Sequence, residues 1–155
     1  MQICIFEDIY FSNFEPMVFS RPVYDLLCGI DSLKEKIIRS YGDVKVSLHC
    51  RPYLADIVQH QNPNYLVNKI EDSECLFING RIIAPENLAE ILPLLPAEDK
   101  VFVNEETVIA AYLSGKHLQN KINYLKDLFS VNDFNGLPIK ILDIKCANYL
   151  WDLIN

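Results

Sequence analysis

The sequence predicts an α/β protein built on a doubly wound, mostly parallel sheet. Two observations carry this. Apolar runs of strand length alternate with segments of helical period along the whole chain. Runs such as Cys75-Leu76-Phe77-Ile78 are continuously apolar, as strands covered on both faces are. Right-handed crossovers between such strands place helices on both faces of the sheet. In order, residues 3–6 read as a first strand ending in Glu7-Asp8, and a long segment with aromatics, Pro16 and Pro22 follows. A helix starts at Ser32, which has capping-box spacing to Glu35; Leu33, Ile37 and Ile38 give it an inward face, and Gly42 ends it. Residues 44–50 alternate as a strand, with Val44, Val46 and Leu48 on one side. Pro52 suits the first turn of the next helix, continued by Leu54, Ile57 and Val58. Residues 65–67 are a brief strand, and residues 74–78 a strand stopped by Asn79-Gly80. Pro85 and Glu86 open a helix through Leu88, Ile91 and Leu92. Residues 101–103 form a strand ending at Asn104; residues 107–113 read as another, although their alanines also permit a helix. Leu118, Ile122, Leu125 and Phe129 recur at helical spacing, and residues 139–144 and 147–153 give a last strand and helix.

With 155 residues the chain predicts one domain, 1–155, long enough to bury its own core. Half of the residues are hydrophobic and 23% are charged, which excludes a disordered or fibrous protein. No apolar run approaches the ~20 residues of a membrane span, so no membrane partner is expected. The opening MQICIFEDIY lacks the features of a signal peptide. A net charge of -7 argues against a nucleic-acid partner, which requires a basic surface. Five scattered cysteines without a C-x-x-C read as reduced, mostly buried thiols of a cytoplasmic protein. His49, His60 and His117 have no metal-ligand spacing to them.

In doubly wound sheets, ligands bind beyond the carboxyl ends of the strands, where the strand order reverses. Three of the four arginines map to that rim: Arg51 and Arg81 follow strands, and Arg21 lies in the segment after the first. Guanidinium grips phosphate oxygens in a planar fork, and a local cationic rim can hold a polyanion in an acidic protein. Each arginine taken singly is equally an ordinary surface residue paired with a nearby acid. Glu7 and Asp8 close the first strand on the same rim. They would hold magnesium through oxygen, or form a solvated turn with Asp8 as a cap. Asn79, Gly80 and Asn104 also end strands, where an amide would meet a base, ribose or sugar hydroxyl, or simply shape a turn. Tyr10, Phe11, Phe14 and Phe19 either cover a ligand or pack the long segment on the core. No dinucleotide fingerprint, P-loop or nucleophile elbow is present. A phosphoacceptor signalling domain would suit Glu7-Asp8, but it needs an aspartate where Asn79 stands.

Several blocks resemble the opening of a sugar nucleotidyltransferase-like family of bacterial proteins. These are Ile5-Phe6-Glu7-Asp8, Asn13-Phe14-Glu15-Pro16, Ser20-Arg21-Pro22-Val23-Tyr24-Asp25-Leu26, Cys28-Gly29-Ile30 and Leu33-Lys34-Glu35-Lys36-Ile37. Leu76-Phe77-Ile78-Asn79-Gly80-Arg81 and Tyr149-Leu150-Trp151-Asp152-Leu153 continue the likeness. The family is similar to the bifunctional enzyme that makes UDP-N-acetylglucosamine. The resemblance implies a shortened Rossmann-like domain of the nucleotide-diphospho-sugar transferase type. It also implies that the chain is the amino-terminal part of a longer protein, trimeric through a left-handed β-helix with acyltransferase character. The implied substrates are a nucleoside triphosphate and a sugar 1-phosphate, whose oxygen attacks the α-phosphorus and releases pyrophosphate, with magnesium as cofactor. By the same likeness Arg21 and Asp25 would be catalytic and Arg51 and Arg81 would bind substrate; their places at strand ends add Asn79, Gly80 and Asn104 to the substrate-binding set, and Glu7 and Asp8, or else Asp25, would hold the metal.

Two places depart from the family pattern. Residues 6–11 stand where a glycine-rich loop wraps the triphosphate, yet they carry two acids and no glycine. Asn79-Gly80-Arg81 stands where a Gly-Asp pair supplies a metal ligand, and arginine does not ligate magnesium. These departures set an alternative beside the enzyme: a catalytically inactive nucleotide- or sugar-phosphate-binding or interaction domain attached to an acyltransferase β-helix.

Overall fold

The computed structural model describes residues 1–95, 98–125 and 127–154. Its strands are β1 (Gln2–Phe6), β2 (Leu27–Cys28), β3 (Asp31–Ser32), β4 (Val46–Leu48), β5 (Leu66–Val67), β6 (Glu74–Asn79), β7 (Lys100–Asn104), β8 (Thr107–Ser114) and β9 (Ile139–Ile141). Its α-helices are α1 (Leu33–Tyr41), α2 (Ala55–Gln61), α3 (Leu88–Ile91) and α4 (Gly115–Ile122). Seven strands form one sheet in the order β5-β4-β1-β6-β8-β7-β9, while β2 and β3 make a small separate hairpin. β1 pairs in parallel with β4 and β6, β4 with β5, and β7 with β9; β8 runs antiparallel to both of its neighbours. The expected mostly parallel α/β sheet is therefore present, with one strand reversed.

Strand alternation explains the two cores. Ile3, Ile5, Leu76 and Ile78 face one side, where Leu33 and Ile37 of α1, Val58 of α2 and Leu88 of α3 cover them. Cys4, Phe6, Cys75 and Phe77 face the other, under Leu118 of α4, Phe129 and Phe134. The residues of β1 are buried on both faces, which accounts for its unbroken apolar run. α1 begins as its sequence predicts: Glu35 N donates to Ser32 Oγ at 3.1 Å, and Ser32 N donates to Glu35 Oε2 at 2.8 Å. Gly42 ends it at φ 64°, a backbone setting that favours glycine.

Several elements are shorter than their patterns predict. The helix expected from Pro85 is the single turn α3. The helix expected over 147–153 is reduced to a 3-10 turn at Leu150–Leu153; the chain before it is held extended, with Cys146 bridged to Ile82 and Ala147 N donating to the Arg81 carbonyl at 2.8 Å. β9 stops at Ile141, and Leu142 N reaches the Val103 carbonyl. α4 stops at Ile122; Lys126 lies outside the described residues, and Phe129 forms a bridge beside Asp8. The alanines of 107–113 belong to β8, a strand.

Candidate functional site at the carboxyl ends of the strands

From β1 the chain moves outward to β4 and β5, then returns to the other side of β1 as β6. The order therefore reverses between β1 and β6, and Glu7-Asp8 and Asn79-Gly80-Arg81 stand at that point. Arg51 follows β4 on the same rim.

The charges of this rim are turned on one another. Glu7 Oε1 accepts from Arg51 N at 3.1 Å and Arg51 Nε at 3.2 Å. Glu7 Oε2 accepts from Val23 N and Arg51 Nη2, both at 3.2 Å. Arg51 also donates to the carbonyls of Val18 and Arg21 and to Tyr53 Oη, and it lies 4.3 Å from the centre of the Phe11 ring. Asp8 Oδ1 accepts from Tyr10 N at 3.2 Å and Arg81 Nε at 2.9 Å; Asp8 Oδ2 accepts from Asn79 Nδ2 at 2.9 Å and Arg81 Nη2 at 2.7 Å. Arg81 is 1% exposed and also donates to Ala147 O and Asn148 Oδ1. Burial pushes the Glu7 carboxyl above its ordinary pKa, against the opposing pull of Arg51 and two backbone N–H groups. Burial works against the charge on Arg81 too, but its bonds to Asp8 prevail and raise its pKa. His49 accepts from Glu7 N through Nδ1 and contacts Asp127 O through Nε2; burial holds it neutral, with its pKa pulled down to about 3.

The segment between β1 and β2 crosses this rim as a strap. Phe14, Val18, Val23 and Tyr24 are buried under it, whereas Phe19 is exposed and Phe11 half-buried. Tyr24 lies against Gly80 and sends its hydroxyl to the carbonyl of His49, so it spans the ends of β6, β1 and β4. Beside the strap lies a groove of about 460 Å³ whose walls include Ser20, Arg21, Asp25, Lys34 and Ile57. Lys34 Nζ is 2.8 Å from Asp25 Oδ1 and 3.0 Å from Asn62 Oδ1. The Arg21 side chain is exposed, and among the described residues it makes no hydrogen bond or ion pair.

The fold thus makes two buried networks on adjoining parts of the rim, Glu7 with Arg51 and Asp8 with Asn79 and Arg81, with Gly80 beside Asn79. It places Arg21 and Asp25 on the adjoining groove. Asn104 is apart: it donates to Ile144 O at 3.4 Å and lines a polar depression of about 430 Å³ with Asp143, Lys145 and Asn148. Tyr24, Lys34 and His49 belong to the site without having been singled out. Tyr24 and Lys34 lie within the blocks of family resemblance; His49 follows β4, two residues before Arg51, which was the available signal.

The carboxylates Glu7 and Asp8 do not fit a magnesium ion. An ionised carboxylate offers about four lone-pair sites, and each of these accepts four N–H groups. Asp25 is held by Lys34. Among the described residues no group of three or more His, Cys, Asp or Glu is arranged to hold a metal, and no helix is long and apolar enough to cross a membrane.

Sheet order and switch point define a doubly wound, mostly parallel α/β protein of the nucleotidyltransferase fold. The chain belongs to the sugar nucleotidyl transferase family, whose model matches residues 3–155. A search of curated proteins finds none that matches it. Among solved structures it is similar to a Bacillus anthracis protein assigned as a glucose-1-phosphate thymidylyltransferase, crystallised with a sucrose. The two share 10% identity over 99% of this chain and 92% of that one, with a TM-score of 0.58. At that identity the likeness is one of fold.

Proposed function

We propose that this member of the family binds a nucleoside phosphate or sugar phosphate in the groove of Arg21 and Lys34 and does not itself transfer the nucleotidyl group. In a longer protein it would serve as the binding or interaction part beside an acyltransferase β-helix. One observation carries the proposal. At the switch point, where transfer would take place, Glu7, Asp8, Arg51 and Arg81 satisfy one another and Tyr24 fills the space between the strand ends. Positioned cations aimed at phosphoryl oxygens are what such transfer needs, and these two guanidiniums point into the protein.

A second reading is nucleotidyl transfer itself, from a nucleoside triphosphate to a sugar 1-phosphate. Family membership favours it, as does the exposed guanidinium of Arg21 on the same rim. Pyrophosphate release from a panel of triphosphates and sugar 1-phosphates, run beside thermal stabilisation by the same compounds, separates the two. Stabilisation without turnover, lost in Arg21→Ala, supports the binding module. Turnover abolished by Arg21→Ala overturns it in favour of the enzyme. Neither stabilisation nor turnover removes the groove from both.

A further inference from the structure

We propose that two resident guanidinium groups stand in this chain where the family employs an exchangeable divalent cation, so that the rim of β1 takes up no magnesium. The proposal concerns the ion and is independent of which phosphate ligand the groove binds.

Magnesium is usually held by one or two carboxylates and demands near-octahedral oxygen coordination. Glu7 and Asp8 are consecutive, close the central strand and are almost fully buried, so they are the carboxylates an ion at the switch point would have to use. Both are already neutralised. Arg51 meets Glu7 with its backbone N–H, Nε and Nη2, and Arg81 meets Asp8 with Nε and Nη2 in a two-pronged fork. Val23 N, Tyr10 N and Asn79 Nδ2 take the remaining acceptor positions.

The oxygens nearby are engaged as well. Asn79 Oδ1 accepts from Arg81 N, and the carbonyls of Val18, Arg21 and Ala147 accept from the two guanidiniums. Two carboxylates and two guanidiniums sum to zero charge. An entering dication would leave the cluster two charges positive in a place closed to water, or would strip Arg81 of its counter-charge while it stays buried. Both are strongly unfavourable.

Arginine differs from the ion it replaces in one useful respect: it is tethered. Arg51 holds the strap through the Val18 and Arg21 carbonyls, and Arg81 holds the segment after β9 through Ala147 and Asn148. The charge that neutralises the rim therefore also fixes the two chain segments lying over it.

The test is manganese titration of the whole chain, followed by the electron paramagnetic resonance of free Mn²⁺, with no nucleotide or sugar present. The free-ion signal should be undiminished by equimolar wild-type protein. Bound Mn²⁺ that Asp8→Asn or Glu7→Gln releases overturns the proposal; binding that neither variant changes lies elsewhere and leaves the rim ion-free, as expected. Arg81→Ala, verified as folded by circular dichroism, should gain Mn²⁺ affinity by roughly tenfold or more, the scale on which a metal's surroundings act. A folded Arg81→Ala without that gain shows that the guanidinium is not what keeps the ion out, and overturns the substitution. The wild-type titration stands by itself if the variant does not fold.

Discussion

Tyr24 and Gly80 touch so closely that no other residue has room at position 80: a Cβ there would stand 2.8 Å from Tyr24 Cδ2 and 3.1 Å from the Phe6 carbonyl oxygen. The glycine directly follows β6 at the switch point, and the tyrosine comes from the strap that crosses it. Their contact seats the strap on the sheet.

Gly80→Ala should therefore destabilise the protein by about 1–3 kcal/mol, the usual scale of overpacking. Urea unfolding midpoints measure it. In a Tyr24→Leu background the penalty should shrink, because the ring atom is gone, but it should not vanish, because the Phe6 carbonyl remains.

Glu7 and Arg51 should behave as a buried pair. Removing one partner, as in Arg51→Met or Glu7→Leu, should cost on the order of 3–5 kcal/mol, since the other charge is left unmatched. The double variant should lose less than the sum of the singles, and a double-mutant cycle in urea reads the difference. Chymotrypsin should cut after the exposed Phe19 faster in Arg51→Met, which frees the strap.

His49 sets an acid limit. Burial pulls its pKa down to about 3. Below an unfolded value near 6.5, the unfolded chain gains a proton that the native one refuses. This stability is complete above about pH 6.5 and is lost as pH falls towards 3, at up to about 1.4 kcal/mol per pH unit. Glu7 works in the opposite sense: its raised pKa lets the native state take a proton first, so it offsets part of the His49 loss as pH falls. His49→Asn, which can still accept from Glu7 N, should flatten the fall between about pH 4 and 6 relative to wild type in urea titrations.

Arg81→Lys keeps a cation beside Asp8 but cannot reproduce the fork. It should cost about 1–3 kcal/mol, the scale of buried charged hydrogen bonds. Amide exchange at Ala147, which donates to the Arg81 carbonyl, should quicken more than exchange at Ile3, in the middle of the sheet.

The strands, the first helix and the rim were readable because each rests on local pattern. β1 and β6 are apolar runs, Ser32 and Glu35 cap each other at fixed spacing, and the charged residues simply follow strand ends. What faces what was not readable. Glu7 meets Arg51 from 44 residues away, and Asp8 meets Arg81 from 73. A sequence that shows two acids and two arginines on one rim is equally consistent with a metal, a phosphate or mutual pairing. Burial decided the matter, and burial depends on the strap, whose aromatics carry no period. The reversal of β8 was hidden for another reason. Its turn is only Glu105 and Glu106, without the Asn-Gly or Asp-Gly that commonly announces a tight hairpin, although Glu105 does adopt φ 56°.

That reversed strand has an architectural corollary. Because β8 descends, the bend at Glu105 and Glu106 opens upward beside the ends of β1 and β6, near Asp8 and Tyr10. It is a natural graft point: extra chain spliced between these two glutamates would arch above the mouth while every ladder beneath kept its register. A roof, and with it a new choice of guest, can be added to this scaffold by lengthening a single bend.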